Sequence, residues 1–163
     1  MYRITFKTTV CAPQPAVWER VSTMRGVNDE LLPLMQMTCP DMNMRISKSL
    51  VGTPGVPLFR SWLLLFGLIP IDYDDICLAA VIEGKSFSER STMALMTQWH
   101  HDRVLETGNK GTIITDELSF IPRFRIVGCV LSLIVRFLFM HRHRRLSTRF
   151  GCVRETTCQV KTD

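Results

Sequence analysis

Residues Ser86–Ile121 read SFSERSTMALMTQWHHDRVLETGNKGTIITDELSFI, and this stretch decides the fold. From Phe87 the odd positions carry Phe87, Glu89, Ser91 and Met93, then Trp99, His101, Arg103 and Leu105. The even positions between them (Ser86, Ser88, Arg90, Thr92, Gln98, His100, Asp102) are polar. Successive side chains of a strand point to opposite faces, so the apolar parity marks the side that faces a core. Glu89, His101 and Arg103 ride on that side. A charge on a buried face must be paired, bound to something or neutralised. That requirement is the main functional clue in the chain.

The turns suggest the partners. Gly108-Asn109-Lys110-Gly111 has the composition of a hairpin loop. Closed symmetrically, it sets Arg103 opposite Asp116, and a turn near Ala94–Met96 sets Glu89 opposite His101. Directly opposed residues of neighbouring strands bring their Cβ atoms to about 4.5–5.5 Å. The spacing therefore predicts two adjacent pairs, Glu89–His101 and Arg103–Asp116, on one concave surface. A slip of one residue in either hairpin would turn one partner outward. A structural ion-pair cluster that fixes register competes with a ligand-binding or catalytic role.

The length of 163 residues fits one domain, expected over 1–151 with a tail over 152–163, and the apolar content of 46% suffices for a core. Six cysteines at 11, 39, 77, 129, 152 and 158 form no C-x-x-C spacing, which reads as reduced thiols in a cytoplasmic protein rather than a disulfide scaffold or a zinc site. The strand pattern from Tyr2 onward leaves no targeting segment to expect. Two apolar runs, Ser61–Ile71 and Ile126–Val135, reach only about half of the ~20 residues that a spanning helix needs and read as core elements.

The net charge of +5 is uneven: residues 123–154 hold eight Arg and no Asp, Glu or Lys, whereas the remainder has 12 Lys+Arg against 15 Asp+Glu. An Arg-rich patch can attract anionic lipid or nucleic acid, but no nucleic-acid motif accompanies it. The cluster His141-Arg142-His143-Arg144-Arg145 reads first as a solvated helix face, where cations suit the C-terminal half of the dipole.

Residues 2–10 alternate as a half-buried strand. Pro13 and Pro15 open a helix with Val17, Val21 and Met24 as its stripe, and Gly26 is expected to break it. Asn28 is expected to cap a second short helix through Leu31 and Leu34. A short strand is an option at Asn43–Leu50. Leu58–Ile69 is apolar all round, and its Leu-rich content favours a buried helix ending before Pro70, although periodicity alone does not separate helix from strand. Asp74–Glu83, 86–95, 97–106 and 112–121 read as strands. Phe124–Phe150 reads as a long helix with Val127, Val130, Leu131, Ile134, Phe137, Leu138 and His141 at helical spacing, ended by Gly151. Antiparallel strands with helices segregated to one face make an α+β fold.

With these elements placed, the chain resembles the SRPBCC superfamily, the helix-grip fold of START domains, Bet v 1-like proteins and polyketide cyclases, and its small bacterial members in particular. The resemblance is carried by Ala12-Pro-Gln-Pro-Ala-Val-Trp18, Gly26-Val-Asn-Asp-Glu-Leu-Leu-Pro33, Ser61–Asp75, Phe87-Ser-Glu89, Trp99-His-His101-Asp-Arg103, Thr115-Asp116 and Phe139–Leu146. It implies a curved antiparallel sheet wrapped around a long C-terminal helix, two short helices after the first strand, and a cavity for a lipid, isoprenoid or polyketide-like ligand. Its wall candidates are Trp18, Trp62, Phe66, Phe87 and Met93, with Trp99, Phe120, Ile134, Phe137 and His141 facing them. A polar floor of Glu89, His101, Arg103 and Asp116 would orient the ligand. The alternative is a cyclase or dehydratase, with His101 and Glu89 as general base and Arg103 stabilising an oxyanion. A second alternative uses the Arg-rich helix as an anionic-surface or protein-interaction module. No cofactor, metal or nucleic acid is expected, and weak contact with an anionic membrane surface is allowed for.

Overall fold

The computed structural model describes residues 1–151 and 156–162. In chain order these form β1 (Tyr2–Val10), α1 (Gln14–Val21), α2 (Met24–Leu31), β2 (Met35–Met37), β3 (Phe59–Leu65), β4 (Ile69–Ile76), β5 (Leu78–Ile82), β6 (Ser86–Met93), β7 (Met96–Gly108), β8 (Gly111–Pro122), α3 (Gly128–Phe150) and β9 (Thr156–Thr162). Among the described residues the strands form one nine-stranded sheet in the order β2-β3-β4-β6-β7-β8-β1-β9, with β5 paired to β6. Pairings are antiparallel throughout. The curved antiparallel sheet, the two short helices after the first strand and the long C-terminal helix constitute a helix-grip α+β fold.

The decisive meander pairs in the expected register. Glu89 lies opposite His101, and Arg103 lies opposite Asp116. The hairpin closes at Gly108 and Gly111. Gly111 has φ 133°, and a Cβ there would sit 2.1 Å from the Val10 carbonyl oxygen, so both backbone angle and space demand glycine.

Several local expectations are corrected. Gly26 does not end α1; it lies inside α2, where a Cβ would stand 1.8 Å from the Arg20 carbonyl oxygen, so glycine lets the two helices meet at a close corner. Thr23, not Asn28, caps α2 by accepting the Gly26 N–H at 3.0 Å. Asn28 is buried mid-helix, where its amide donates to the Met37 carbonyl at 3.0 Å and accepts the Met37 N–H at 2.7 Å, tying β2 to α2. The stretch 43–50 contributes an isolated bridge from Arg45 to Thr23 and a 3-10 turn at Lys48–Leu50. Leu58–Ile69 is not a helix: it holds β3 and the turn into β4. Its outward positions read as apolar because Trp62 packs edge-on against Tyr73 at 5.8 Å, with the Arg60 guanidinium 4.0 Å over the same ring. The expected strand at 74–83 divides into the end of β4 and β5.

The long helix begins with a 3-10 turn at Arg125–Val127 and continues as α3. Arg125–Phe150 is long and apolar enough to cross a membrane by composition. Here, however, Leu131, Val135, Phe139 and Leu146 are buried in the core. Beyond Gly151, β9 pairs with β1 in a region expected as tail. Cys152–Glu155 and Asp163 lie outside the described residues.

The core falls into two apolar clusters, one around Phe6, Trp99, Leu118, Phe120 and Phe139, the other around Val10, Phe87, Leu105, Ile114 and Leu146. On four elements the residue between the clusters is polar: Thr8 on β1, Arg103 on β7, Asp116 on β8 and His143 on α3, all buried. A continuous ionic layer therefore separates the two halves of the core.

Candidate functional site

The ionic layer is a closed network. Arg103 donates Nε and Nη2 to the two oxygens of Asp116 at 2.6 and 2.7 Å, and Nη1 and Nη2 to Glu30 at 3.0 and 3.1 Å. Arg142 donates Nε to Glu30 Oε2 at 3.0 Å, with its guanidinium carbon 4.6 Å from the centre of the Phe139 ring. His143 bridges Asp116 Oδ2 and Thr8 Oγ1, each at 2.9 Å. His101 Nε2 lies 3.1 Å from Asp116 Oδ1. Burial pushes the Asp116 carboxyl up, but the Arg103 charge and the hydrogen bonds from Arg103 and His101 outweigh it and hold the group well below the usual carboxylate range. Burial acts the same way on Glu30, where Arg103 and Arg142 reverse it and leave the group lowered. Burial opposes the Arg103 charge, yet Asp116 and Glu30 raise the guanidinium above its ordinary value. Charges desolvated to this degree persist only when fully answered.

Beside this layer the structure encloses a cavity of about 340 Å³ between the sheet, α2 and α3. Its walls are apolar, with Met24, Leu31, Met35 and Met37 from α2 and β2, Phe87, Met93 and Trp99 from the meander, and Leu131, Val135 and Phe139 from α3. Ile71 and Ile134 line it while largely exposed, which places the mouth between β4 and the first half of α3. Five ionisable residues line it: Asp72, Asp74, Glu89, His101 and Arg142.

Of the four residues expected on a polar floor, Glu89 and His101 reach this cavity; Arg103 and Asp116 do not, being 0% exposed and bonded to one another within the layer. Of the ten wall candidates, Phe87, Met93, Trp99 and Ile134 line it. Trp18 is buried in the second apolar cluster and Phe120 in the first. Trp62 (47%), Phe66 (60%) and Phe137 (62%) are exposed, and His141 bonds to the Leu32 carbonyl at 2.9 Å. Phe66 lies beyond β3, in the turn into β4; Trp62 and Phe137 depart from the expectation for one reason. β3 and the first half of α3 are apolar on both faces, so hydrophobicity alone did not say which side met the cavity.

Sequence reasoning missed Glu30, Arg142 and His143 in the layer, and Asp72 and Asp74 in the cavity. Asp72 and Asp74 carried a readable signal, since they share the parity of Ile76 on β4. Arg142 and His143 lie on the buried stripe of Leu131, Val135, Phe139 and Leu146, not on the stripe ending at His141.

The cavity carboxyls differ in how they are satisfied. Asp72 Oδ1 accepts the N–H groups of Tyr73 at 2.8 Å and Ala94 at 2.9 Å; burial nonetheless leaves its carboxyl raised. Glu89 Oε1 accepts the Ser91 hydroxyl at 2.7 Å, and its Oε2 stands 3.7 Å from His101 Nδ1, beyond a hydrogen bond. Burial pushes Glu89 up, but His101 and Ser91 leave it lowered overall. Asp74 is 3% exposed, and its Oδ1 has no hydrogen-bond partner among the described residues. Burial first, and the Glu89 charge second, hold the Asp74 carboxyl well above the usual range.

Comparisons with known proteins agree with this architecture. The family model described as a domain of unknown function, DUF8410, matches residues 8–150. A search of curated proteins finds no match. Among solved structures, protein CV1439 from Chromobacterium violaceum is 12% identical with a TM-score of 0.66, over 93% of this chain and 98% of that one. A START superfamily protein from Mycobacterium smegmatis is 11% identical with a TM-score of 0.63, over 92% and 97%. Ara h 8.0201 is 11% identical with a TM-score of 0.55, over 91% and 99%. The fold is shared with the START superfamily protein and with Ara h 8.0201, and the family model over residues 8–150 shows that the chain belongs to the DUF8410 family.

Proposed function

We propose that the protein binds a hydrophobic small molecule of lipid, isoprenoid or polyketide-like type in the space between the sheet and α3. The observation that carries this reading is the cavity itself: about 340 Å³, apolar on nearly every side, with a mouth at Ile71 and Ile134. Ligand pockets typically occupy about 300–1,000 Å³ and pair apolar walls with a few placed polar groups. Four methionines of α2, β2 and the segment after it (Met24, Met35, Met37, Met44) line one side and supply adaptable packing. The face of α3 beside the mouth exposes Val130, Leu133 and Phe137, spaced with Ile134 at i, i+3, i+4 and i+7. This apolar strip, within a helix whose surroundings carry eight Arg over residues 123–154, suits weak contact with an anionic membrane from which a ligand is taken.

Native mass spectrometry of the purified protein and titration with a neutral polarity-sensitive dye test the reading. The expected outcome is saturable 1:1 dye binding that is reduced at least tenfold by Ile134→Trp at the mouth and by Val135→Phe inside. Unchanged binding in both variants, with normal thermal unfolding, would place the dye elsewhere and refute the reading.

A catalytic reading draws on His101, which lines the cavity with Glu89 on one ring nitrogen and Asp116 on the other. In that reading His101 takes a ligand proton as general base. Arg103 has no surface in the cavity, so it is out of reach of an oxyanion developing there. Loss of turnover in His101→Ala at retained dye affinity separates catalysis from binding alone.

A further inference from the structure

Resting on the binding reading above, we propose that the cavity selects an apolar ligand with a protonated amine head, held by Asp74 and Glu89. The ionisable groups lining the cavity are three carboxyls, one imidazole and one guanidinium. The guanidinium, Arg142, is committed to Glu30 at 2.9 Å. Arg103, the other buried cation of the region, has no surface in the cavity. A fatty acid or other anionic head would therefore meet carboxyls, with neither of these guanidinium groups free to answer it, in surroundings where such repulsion is strong.

Asp72 is answered by two backbone N–H groups, and Glu89 Oε1 by Ser91. Left over is Asp74 Oδ1, buried and without a donor among the described residues, beside the Glu89 carboxyl that accepts the Asp74 proton in a shared hydrogen bond. An orphaned buried acceptor is costly, because its lost bond to water is not replaced. An alcohol offers a single O–H, whereas an ammonium offers three N–H donors and a charge. Trp99 and Phe87 line the same space with rings of the kind that attract a cation. The overall charge of +5 works against non-specific uptake of cations, so a preference for amines must come from the interior.

Proton linkage adds a second signature. The groups facing Asp74 are Asp72 on its own strand, Glu89 on β6, and His101 and Arg142 across the cavity, with Cys77 nearby. Asp74 keeps its proton above the usual carboxylate range. An incoming ammonium favours the ionised carboxylate, so binding expels that proton. Amine affinity should then rise with pH until Asp74 is ionised in the free protein, while alcohol affinity should show no such rise.

The test is calorimetric titration of the intact protein with decylamine, decanol and decanoic acid, at pH 5 to 8 and in buffers of different ionisation enthalpy. Decylamine is expected to bind at least tenfold more tightly than decanol at pH 7, with decanoic acid weakest and with proton release on amine binding. In Asp74→Asn with Glu89→Gln the amine-to-alcohol ratio should collapse toward one; in Asp102→Asn, on the outer face of β7, it should be unchanged. Decanol or decanoic acid binding as tightly as decylamine, or a ratio that survives in the double variant, overturns the amine preference and leaves the binding reading standing. Failure of all three to bind overturns both.

Discussion

Two groups of buried charge lie side by side in this molecule and follow opposite rules. In the layer of Glu30, Arg103, Asp116, Arg142 and His143, the carboxylates are answered by guanidinium and imidazole groups at 2.6–3.1 Å. The cavity group of Asp74, Glu89 and His101 is incomplete, with an orphaned oxygen on Asp74 and a gap of 3.7 Å between Glu89 and His101. Both arise from the same strand parity, since β7 supplies His101 to one and Arg103 to the other two residues later. The contrast teaches that burial of charge is not by itself a mark of function. The two groups differ in whether their hydrogen-bonding capacity is used up.

The largest effect should come from breaking the closed layer. Arg103→Met would leave Glu30 and Asp116 buried without their shared cation. Removing one partner of a buried pair costs about 3–5 kcal/mol, which for a chain of this size lowers the melting temperature by roughly 10 °C. Urea denaturation of the variant measures it. A loss under about 1 kcal/mol would mean that water or a rearranged His143 answers the carboxylates, and the layer would not be closed as described.

The next effect sharpens the comparison through pH. Glu30 and Asp116 are lowered in the folded state, so their stabilisation is present above the unfolded carboxylate range near ~4 and is lost as pH falls through their depressed folded values. Asp74 is raised, so the folded state holds its proton more tightly than the unfolded chain. Wild-type stability therefore declines as pH rises from the unfolded carboxylate range toward the raised folded value of Asp74. Asp74→Asn lacks that decline, and its advantage over wild type should grow across this window to the order of 1 kcal/mol, the usual size of a point-substitution effect. Denaturation curves from pH 4 to 8 test the sign. A difference that is flat or shrinks with pH would show that Asp74 is ionised in the folded protein, and the cavity group would then behave like the layer.

The legibility of these features in the sequence follows the same division. Register was readable because the inward positions of β6, β7 and β8 keep one parity, with Gly108 and Gly111 marking one turn and Ala94–Met96 the other, so both cross-strand pairs could be placed. The inward side of α3 was not readable: apolar side chains surround its first half, and the choice between the stripe through Ile134 and Phe137 and that through Val135 and Phe139 is made by packing against Phe6 and Trp99. That choice also hid Arg142 and His143, which follow Phe139 on the same face. Glu30 had no local signal, because its partners lie 73 and 112 residues away in sequence. Periodicity does not separate β3 from a helix, because Trp62 and Tyr73 on the outer face of the sheet remove the alternation that identifies β6 and β7.

The smallest effect concerns a third pair on the same strands. Arg90 on β6 and Asp102 on β7 point to the opposite side from Glu89 and His101, and Arg90 Nη2 reaches both Asp102 oxygens at 2.8 and 2.9 Å. The geometry equals that of the buried contacts, but the side chains are 37% and 31% exposed. Water already solvates both charges, so little is gained by pairing them, and exposed pairs typically contribute about 0.2–1 kcal/mol. Asp102→Asn should therefore cost less than about 1 kcal/mol, and the cost should shrink further between 0.05 and 1 M salt as screening removes the attraction. Arg103→Met, with its charges out of reach of mobile ions, should keep most of its penalty over the same range. If both variants responded alike to salt, the ionic layer would be hydrated, and distance alone would have misrepresented the difference between the inner and outer faces of this sheet.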